Sequence, residues 1–338
     1  MEKPLTKKYY INGPNNVVRL CKDNKILYIF GDEHLDPEEQ NECPIMDEYE
    51  SMDIDKFISL FIKTEKVTQF DLFAEFFDSM YKNVKTNKRE NYIKNFIRLF
   101  QSKLKKSDNE VRINPLYKNI RFHFMDIRNT IKKAAKLLYF DENLSNKDNL
   151  NKKVIIKLYE NLLDLKEYLV SSQNKYVNKI LNRYSNKAIQ ETMNTLYQEL
   201  ILDNLDRIIK KVKQTLEKKI TNLFVTDLEF LIVNLFVVIT DLYFIRRFLD
   251  KNYINKSILY CGIHHLSDIV FILVKYFGFE LSHSYMQSNM QSKRINKFNK
   301  FKTIDFHYIK ELTETFYISN NNKPNQCVNL FNFPTNFS

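Results

Sequence analysis

Two turns that carry glycine and histidine contain the residues of this chain with the clearest chemical potential. Each reads Gly-x-x-His and follows a short apolar run: ILYIF precedes Gly31 to His34, and SILYC precedes Gly262 to His265. With 4 Gly and 6 His among 338 residues, about 0.07 such matches are expected by chance from composition. An imidazole exchanges protons near neutral pH and can bind metal ions, so the paired turns predict a reactive or ligand-binding site.

Acidic and basic side chains close two further apolar runs. Glu75 follows residues 69–73, and Asp126 and Arg128 follow residues 120–125. A carboxylate at the end of a buried strand must be hydrogen-bonded, paired with a charge or bound to a metal ion, because an unpaired buried charge is very costly. Glu75 is therefore a candidate base, and a structural ion pair between Glu75 and Arg128 is the alternative interpretation.

The pattern of apolar residues predicts an α/β fold in which these strand ends meet. Short apolar runs alternate with segments of helical spacing, which predicts a mixed or mostly parallel central β-sheet flanked by helices. The carboxyl ends of parallel strands line one crevice of such a sheet. We therefore expect His34, Glu75 and His265 to lie in one pocket, although they are far apart in sequence.

A helical segment interrupts the predicted α/β core. Residues 153–224 show no strand pattern and alternate apolar pairs with Lys and Glu, which predicts long helices. The most apolar run, residues 230–240, is too short to span a bilayer and predicts a buried helix. The predicted organisation is an irregular lead-in (1–24), the first half of the core (25–150), a helical insertion (151–225), the second half of the core (226–320) and a poorly ordered tail (321–338).

Composition indicates a globular protein with a basic surface. Hydrophobic residues make up 44% of the chain and aromatic residues 14%, which excludes a disordered chain. The formal net charge of +11 could attract nucleic acid. However, the lysines are spread along predicted helices beside glutamates, and no nucleic-acid-binding motif is present, so a solvated surface is the favoured interpretation.

The cysteines and the first residues bear on the compartment. Cys21, Cys43, Cys261 and Cys327 lie far apart with no Cys-x-x-Cys pair, so neither a zinc ribbon nor a disulfide framework is predicted. The first ten residues lack the apolar segment of a signal peptide. We expect an intracellular, cytoplasmic protein without a transmembrane segment.

The order of the motifs resembles a superfamily that includes the erythromycin esterases, the TIKI and TraB (GumN) metalloproteases and the ChaN-like proteins. Its members carry two Gly-x-x-His motifs, one near each end of the domain, and a glutamate that closes the second strand. The two motifs ending at His34 and His265 match, with Glu75 between them in the expected place. The element Asp126-x-Arg128 resembles the acid-and-arginine element that some members carry.

The resemblance covers about residues 24–140 and 226–281, and it implies a hydrolase in which water attacks an ester, lactone or amide carbonyl. The substrate would be a small molecule or a peptide. Glu75 or His34 would act as the base, and His265 would polarise the water or the carbonyl. Arg128 would orient Glu75 or stabilise the developing negative charge.

A divalent metal ion is an open part of this prediction. If one is bound, His34, Glu75 and His265 supply suitable ligands and would lower the pKa of a bound water molecule. Where protease members of the superfamily often carry Glu-Arg-Asn, this chain has Thr-Asp-Leu, so Asp241 and Arg246 either replace that element or form a structural ion pair. The supporting positions are Gly31, Glu33, Asp126, Asp241, Arg246, Gly262 and His264.

The sequence also allows other interpretations. Asp32 is interpreted as a supporting or solvated residue, and His123, His283 and His307 are interpreted as structural. A catalytically silent binding or host-interaction protein could keep the same scaffold and use its basic surface and helical insertion for partners. Nucleic-acid binding through the lysine-rich helices is a weaker alternative, because no recognised motif supports it.

Overall fold

The computed structural model describes most of the chain as two compact units. The first unit contains the described residues up to Met125 and from Asn252 onward, and the second contains those between Asp126 and Lys251. The residues that the structure describes are 9–35, 37–43, 50–64, 69–75, 92–101, 105–106, 112–114, 117–128, 131, 152–171, 174–182, 184–216, 222–285 and 326–334.

The first unit is built on β-strands. In chain order they are β1 (Tyr9–Asn12), β2 (Asn16–Lys22), β3 (Lys25–Asp32), β4 (Glu50–Asp53), β5 (Phe70–Ala74), β6 (Lys105–Lys106), β7 (Arg112–Asn114), β8 (Tyr117–Phe124), β9 (Lys256–Gly262), β10 (Glu280–Tyr285) and β11 (Cys327–Asn329). Within the described residues, one sheet has the spatial order β10-β2-β3-β9-β5-β8-β7-β6, and a small sheet has the order β11-β1-β4. The neighbouring strands β3, β9, β5 and β8 are parallel, and the outer strands of the large sheet are antiparallel. The predicted central β-sheet is confirmed, and it is mixed, with parallel strands at its centre.

The strands that precede the two Gly-x-x-His motifs are neighbours in the sheet. β3 and β9 run parallel, with Gly31 opposite Cys261 and Asp32 opposite Gly262. β5, which ends just before Glu75, pairs with the other edge of β9. Three successive parallel strands therefore end side by side at one edge, where α/β proteins form their ligand crevices.

Helices cover both faces of the parallel strands, as buried parallel sheets require. The helices are α1 (Ile54–Thr64), α2 (Tyr92–Gln101), α3 (Lys152–Val170), α4 (Lys175–Leu181), α5 (Lys187–Tyr197), α6 (Asp203–Thr215), α7 (Asn222–Asp250) and α8 (Ile263–Phe277). On one face, Phe57 and Phe61 of α1 and Phe96 of α2 pack in one core with Tyr28 and Tyr260 of the sheet. α8 packs on β3 and β9. The helix that carries the second motif is thus fixed directly on the strand that carries the first.

The second unit consists of α3 to α7, with a π-helical segment, Gln198–Leu202, between α5 and α6. α3 buries apolar side chains at helical spacing, including Ile155, Leu158 and Leu162. Residues 230–240 lie in α7, as predicted for a buried helix. Among the described residues, no helix has the length and apolar character that crossing a membrane requires.

The irregular lead-in predicted for residues 1–24 is wrong where the structure describes it. β1 and β2 lie in this segment, and β2 forms a hairpin with β3. Asp23 in the turn has a φ of 50°, a left-handed conformation that Asp adopts more readily than most residues. The buried residues Val17, Val18 and Leu20 anchor β2 on the core.

The poorly ordered tail predicted for residues 321–338 is also wrong in its described part. β11 pairs with β1 in antiparallel orientation, which places Cys327 opposite Asn12. The side chain of Asn12 accepts a hydrogen bond from the backbone N–H of Cys43 at 2.8 Å. Cys43 and Cys327 are joined by a disulfide bond, which the cysteine spacing did not predict.

The helical unit differs in extent from the insertion predicted for residues 151–225. It starts at Asp126 and continues through α7, which was assigned to the second half of the core. A buried helix has the same apolar pattern in either unit, so the sequence did not distinguish them. His307, which was interpreted as structural, lies outside the described residues.

Candidate active site

Three side chains from neighbouring strand ends meet at the carboxyl edge of the large sheet. His34 follows β3, Glu75 follows β5, and His265 lies in the first turn of α8 after β9. His34 Nε2 lies 3.1 Å from Glu75 Oε2. His265 Nε2 lies 3.1 Å from the other oxygen, Glu75 Oε1. The structure thus brings together the three residues predicted to share a pocket, and we refer to them as the His-Glu-His site.

The second motif needs glycine because the site packs against its backbone. The Gly262 N–H donates a hydrogen bond to Glu75 Oε2 at 2.7 Å. A Cβ atom at position 262 would lie 3.0 Å from His34 Nε2 and 3.2 Å from Glu75 Oε2. Gly262 is also the N-cap of α8, so the positive end of the helix dipole stabilises the carboxylate.

The glycine of the first motif has a different role. A Cβ atom at Gly31 would lie 2.7 Å from Leu266 Cδ1 on α8. Because no side chain separates β3 from α8 at this point, the helix can lie close to the strand. The two glycines therefore fix the two histidines by different means: Gly262 through contact with the site, and Gly31 through helix packing.

Asp32 holds the backbone of His34. His34 has a φ of 57°, which is uncommon for a residue other than glycine, and its N–H donates to Asp32 Oδ1 at 2.5 Å. Asp32 is 1% exposed, and its other donors are the Tyr260 hydroxyl and Gln326 Nε2, the latter at 3.0 Å. The sequence pattern indicated only a supporting or solvated role for Asp32, and it gave no signal for Gln326, which falls in the segment predicted to be poorly ordered.

The ring of His34 lies between two carboxylates. Its Nε2 faces Glu75, and its Nδ1 is 3.7 Å from Asp32 Oδ2. Burial lowers the pKa of His34, but the negative charge of Glu75, assisted by its hydrogen bond to the imidazole and by the nearby Asp32 carboxylate, outweighs burial and raises this pKa to about 10. At neutral pH His34 is therefore an imidazolium. Its side chain is 34% exposed, against 2% for His265, so it is the member of the site that can meet a ligand.

Glu75 is a stabilised carboxylate. Burial raises its pKa, but the positive charges of His265 and His34 and their hydrogen bonds hold the pKa well below its usual range. A carboxylate with a lowered pKa is a weak base. The resting site is thus an ion pair in which Glu75 orients the imidazoles.

We expect the stability of the protein to fall at both ends of the pH range. The lowered pKa of Glu75 gives a contribution that is present above its unfolded pKa of about 4.5 and is lost as the pH falls through the folded value. The pKa of His34, raised from 6.5 to about 10, gives a contribution that is complete below pH 6.5 and is lost as the pH rises through 10. Urea unfolding across this range measures both flanks. An alkaline flank that is the same in His34→Asn would contradict the assignment to His34.

The other predicted positions of the first unit lie around the site. Asn15 Nδ2 donates to Glu33 Oε1, and burial together with the charge of Asp32 raises the pKa of Glu33. His264 precedes His265 in α8, and it is exposed. His123, interpreted as structural, is buried with its Nε2 2.6 Å from Asp71 Oδ1.

The predicted residues of the second unit form their own ion pairs. Arg128 donates to Asp126 from Nε at 3.0 Å and from Nη2 at 2.7 Å, so the strand-end arginine engages the acid two residues before it. Arg246 Nη2 lies 3.5 Å from Asp250 Oδ2, so its ion-pair partner here is Asp250, a residue that the sequence interpretation did not consider. Asp241 is buried in α7.

A metal ion does not fit the His-Glu-His site as it is arranged. Glu75 Oε2 faces both the Gly262 N–H and His34, and Glu75 Oε1 faces His265, so the oxygens that would bind a metal already face nitrogen atoms. No group of three or more His, Cys, Asp or Glu side chains in the described part of the chain could hold a metal ion. A metal-bound form would need a different arrangement of these side chains, and it stays a prediction from the resemblance.

The fold and the site define an α/β protein that holds a carboxylate between two histidines at the carboxyl edge of its sheet. The chain belongs to a family of unknown function (DUF5847), whose model matches residues 9–175 and 213–338. It is similar to the uncharacterized proteins R706 and R161 of Acanthamoeba polyphaga mimivirus. Each is 26% identical over 97% of this chain, and the matches span 96% and 98% of those proteins. The uncharacterized protein R129 of the same virus is 31% identical over 36% of this chain and 74% of its own length. No solved structure matches the chain.

Proposed function

We propose that the protein is a hydrolase in which the His-Glu-His site activates water for attack on an ester, lactone or amide carbonyl. The observation that carries the proposal is the contact of His34 and His265 with opposite oxygens of one buried carboxylate. A carboxylate that orients an imidazole is a recurring element of acyl-transfer enzymes. The resemblance of the motif order to the erythromycin esterase superfamily supports the same reaction class.

His34 acts as the proton donor in this proposal. It is charged at neutral pH and accessible, so it can stabilise the oxyanion and then protonate the leaving group. His265 stays buried and keeps Glu75 in place. The substrate is a small molecule or a peptide whose carbonyl reaches the exposed edge of His34.

Glu75 accepts the proton of the attacking water. The positive charge of His34 is one of the causes that lower the pKa of Glu75, so Glu75 becomes a stronger base as His34 gives up its proton. The two proton transfers are therefore coupled across the 3.1 Å contact. After product release, the proton on Glu75 returns to His34, which restores the resting ion pair.

The test is a substrate screen with matched variants. We expect hydrolysis of an ester, lactone or peptide substrate, with a loss of about 100-fold or more in His34→Asn. The rate should be constant near neutral pH and fall as the pH rises through about 10, where His34 loses its proton. His283→Asn is the control, because His283 lies on β10 and contacts Ser282 and Phe333.

The outcomes separate the candidate functions. Activity that survives in His34→Asn would contradict the proposed donor, and activity that a chelator abolishes would contradict the metal-free site. A site that is inert towards every substrate class would favour the binding alternative. The intracellular location stays a prediction, and the Cys43–Cys327 disulfide bears on it because such bonds are typical of oxidising compartments.

A further inference from the structure

The segment around β11 delivers a buried side chain to the residue that holds His34. Gln326, the residue before β11, is 1% exposed, and its Nε2 donates to Asp32 Oδ1 at 3.0 Å. The same oxygen accepts the backbone N–H of His34 at 2.5 Å. Gln326 and His34 therefore share one oxygen of Asp32, and the orientation of that carboxylate depends on both.

The backbone of Gln326 is fixed by two distant segments. The Gly13 N–H donates to the Gln326 carbonyl at 3.1 Å, and the Gln326 N–H donates to the Asn41 carbonyl at 3.0 Å. These bonds place the side chain so that its amide reaches Asp32. The contact with Asp32 therefore requires β11 to stay attached to the segments around Gly13 and Asn41.

The Cys43–Cys327 disulfide is the covalent part of this attachment. Cys327 is the residue next to Gln326, and its partner Cys43 lies two residues after Asn41. β11 is three residues long, and in the described part of the chain β1 is the strand that it pairs with. So short a strand contributes few backbone hydrogen bonds and is marginal without further support. Val328 and Phe333 also anchor this segment in the hydrophobic core, and the disulfide adds a covalent link directly beside Gln326.

We propose that Gln326 is a positioning residue of the His-Glu-His site and that the Cys43–Cys327 disulfide controls it, so that the site responds to thiol–disulfide exchange. A dithiol reductant passes two electrons and two protons to the disulfide, which becomes two protein thiols, while the reductant becomes a disulfide. Reduction loosens the segment around β11, although Val328 and Phe333 stay in the core, and weakens the contact of Gln326 with Asp32. The turn at His34 then relaxes. Any effect of reduction on hydrolysis depends on the proposed hydrolase function. The effect on the backbone and on the pKa of His34 does not depend on that function.

The direction of the effect on His34 follows from its contacts. The hydrogen bond and the charge of Asp32 are among the causes that raise the pKa of His34. Without Gln326, Asp32 keeps the hydrogen bond from the Tyr260 hydroxyl but loses one of the two donors to its Oδ1 atom. The carboxylate is then held less firmly against His34, so this influence weakens and the pKa of His34 falls. The hydrogen bond from the His34 N–H to Asp32 weakens at the same time, and this N–H exchanges faster with solvent.

The experiment uses the full chain, oxidised or treated with dithiothreitol, and follows His34 by NMR. We expect the His34 amide to exchange about tenfold faster after reduction and the pKa of its imidazole to fall. Gln326→Ala should reproduce both changes while the disulfide is intact. Cys43→Ser should show the amide exchange rate and the pKa of His34 that the reduced protein shows, and neither should change when the reductant is added. Cys21→Ser, which removes a free cysteine on β2, should respond to reduction like the wild type.

Several results would overturn the proposal. Equal exchange and equal pKa of His34 in the oxidised and reduced proteins would exclude control by the disulfide. A normal His34 in Gln326→Ala would exclude the positioning role of Gln326. Equally faster exchange of the Tyr260 amide, in the middle of β9, would show general destabilisation in place of a specific coupling. If His34 responds to reduction but no substrate is hydrolysed, the coupling stands and the hydrolase proposal fails.

Discussion

Glu75→Gln is expected to lower the pKa of His34 from about 10 towards its ordinary value of 6.5. The charge of Glu75 is the largest of the influences that raise this pKa, and glutamine keeps the shape of the side chain while removing the charge. The loss of the proton acceptor should also reduce hydrolysis by about 100-fold or more. An NMR titration of the His34 imidazole measures the first effect, and a kinetic assay measures the second.

Glu33→Gln is the matched control for this variant. It removes an equal charge one residue from His34, but the side chain of Glu33 engages Asn15 instead of the imidazole. We expect the pKa of His34 to change far less in Glu33→Gln than in Glu75→Gln. Equal shifts in the two variants would mean that His34 senses the general charge of this edge and would contradict a specific His34–Glu75 pair.

The juxtaposition of the two histidines follows from the sequence because it depends on simple local patterns. Each motif ends an apolar run, and parallel strands gather their carboxyl ends at one edge. The register of β3 with β9, which sets Asp32 opposite Gly262, then brings His34 and His265 to the same carboxylate. The alternation of strands and helices was sufficient to predict the fold class.

The residues that support His34 could not be predicted in the same way. Gln326 reaches Asp32 only because β11 pairs with β1, and a three-residue strand has no periodicity that distinguishes it from a loop. The pairing of Cys43 with Cys327 depends on the same long-range contact. Local patterns carry no information about such pairings, so residues 321–338 were predicted to be a poorly ordered tail.

Arg128 shows how a partner close in sequence can be overlooked. It stands at a strand end, and its charge complements that of Glu75, so an ion pair between them was one of the two interpretations of Glu75. Asp126 is two residues away and offers both oxygens to the guanidinium in a bidentate pair. Bidentate pairing is the geometry that arginine prefers, and a partner so close in the chain costs little conformational entropy to bring into contact.

Gly262→Ala is expected to impair the site strongly while the fold survives. The backbone at Gly262 has φ −65° and ψ 155°, which alanine adopts without strain. The added methyl group would instead lie 3.0 Å from His34 Nε2 and 3.2 Å from Glu75 Oε2, so one of the two side chains must move. Loss of the ion-pair contact should reduce hydrolysis by about 10- to 100-fold and lower the pKa of His34, at a cost in unfolding free energy of about 1–3 kcal/mol.

Gly31→Ala tests the packing between β3 and α8 without adding an atom next to the His-Glu-His site. Its added methyl group would meet Leu266 Cδ1 at 2.7 Å, which lies on the apolar contact between β3 and α8. We therefore expect Gly31→Ala to lower the urea midpoint as much as Gly262→Ala or more, but to change the pKa of His34 less. Urea unfolding measures the first effect and titration of the His34 imidazole measures the second, on both variants. If Gly262→Ala left the pKa of His34 at its wild-type value, the two G-x-x-H glycines would serve packing alone, and the close approach of Gly262 to the His-Glu-His site would have no chemical consequence.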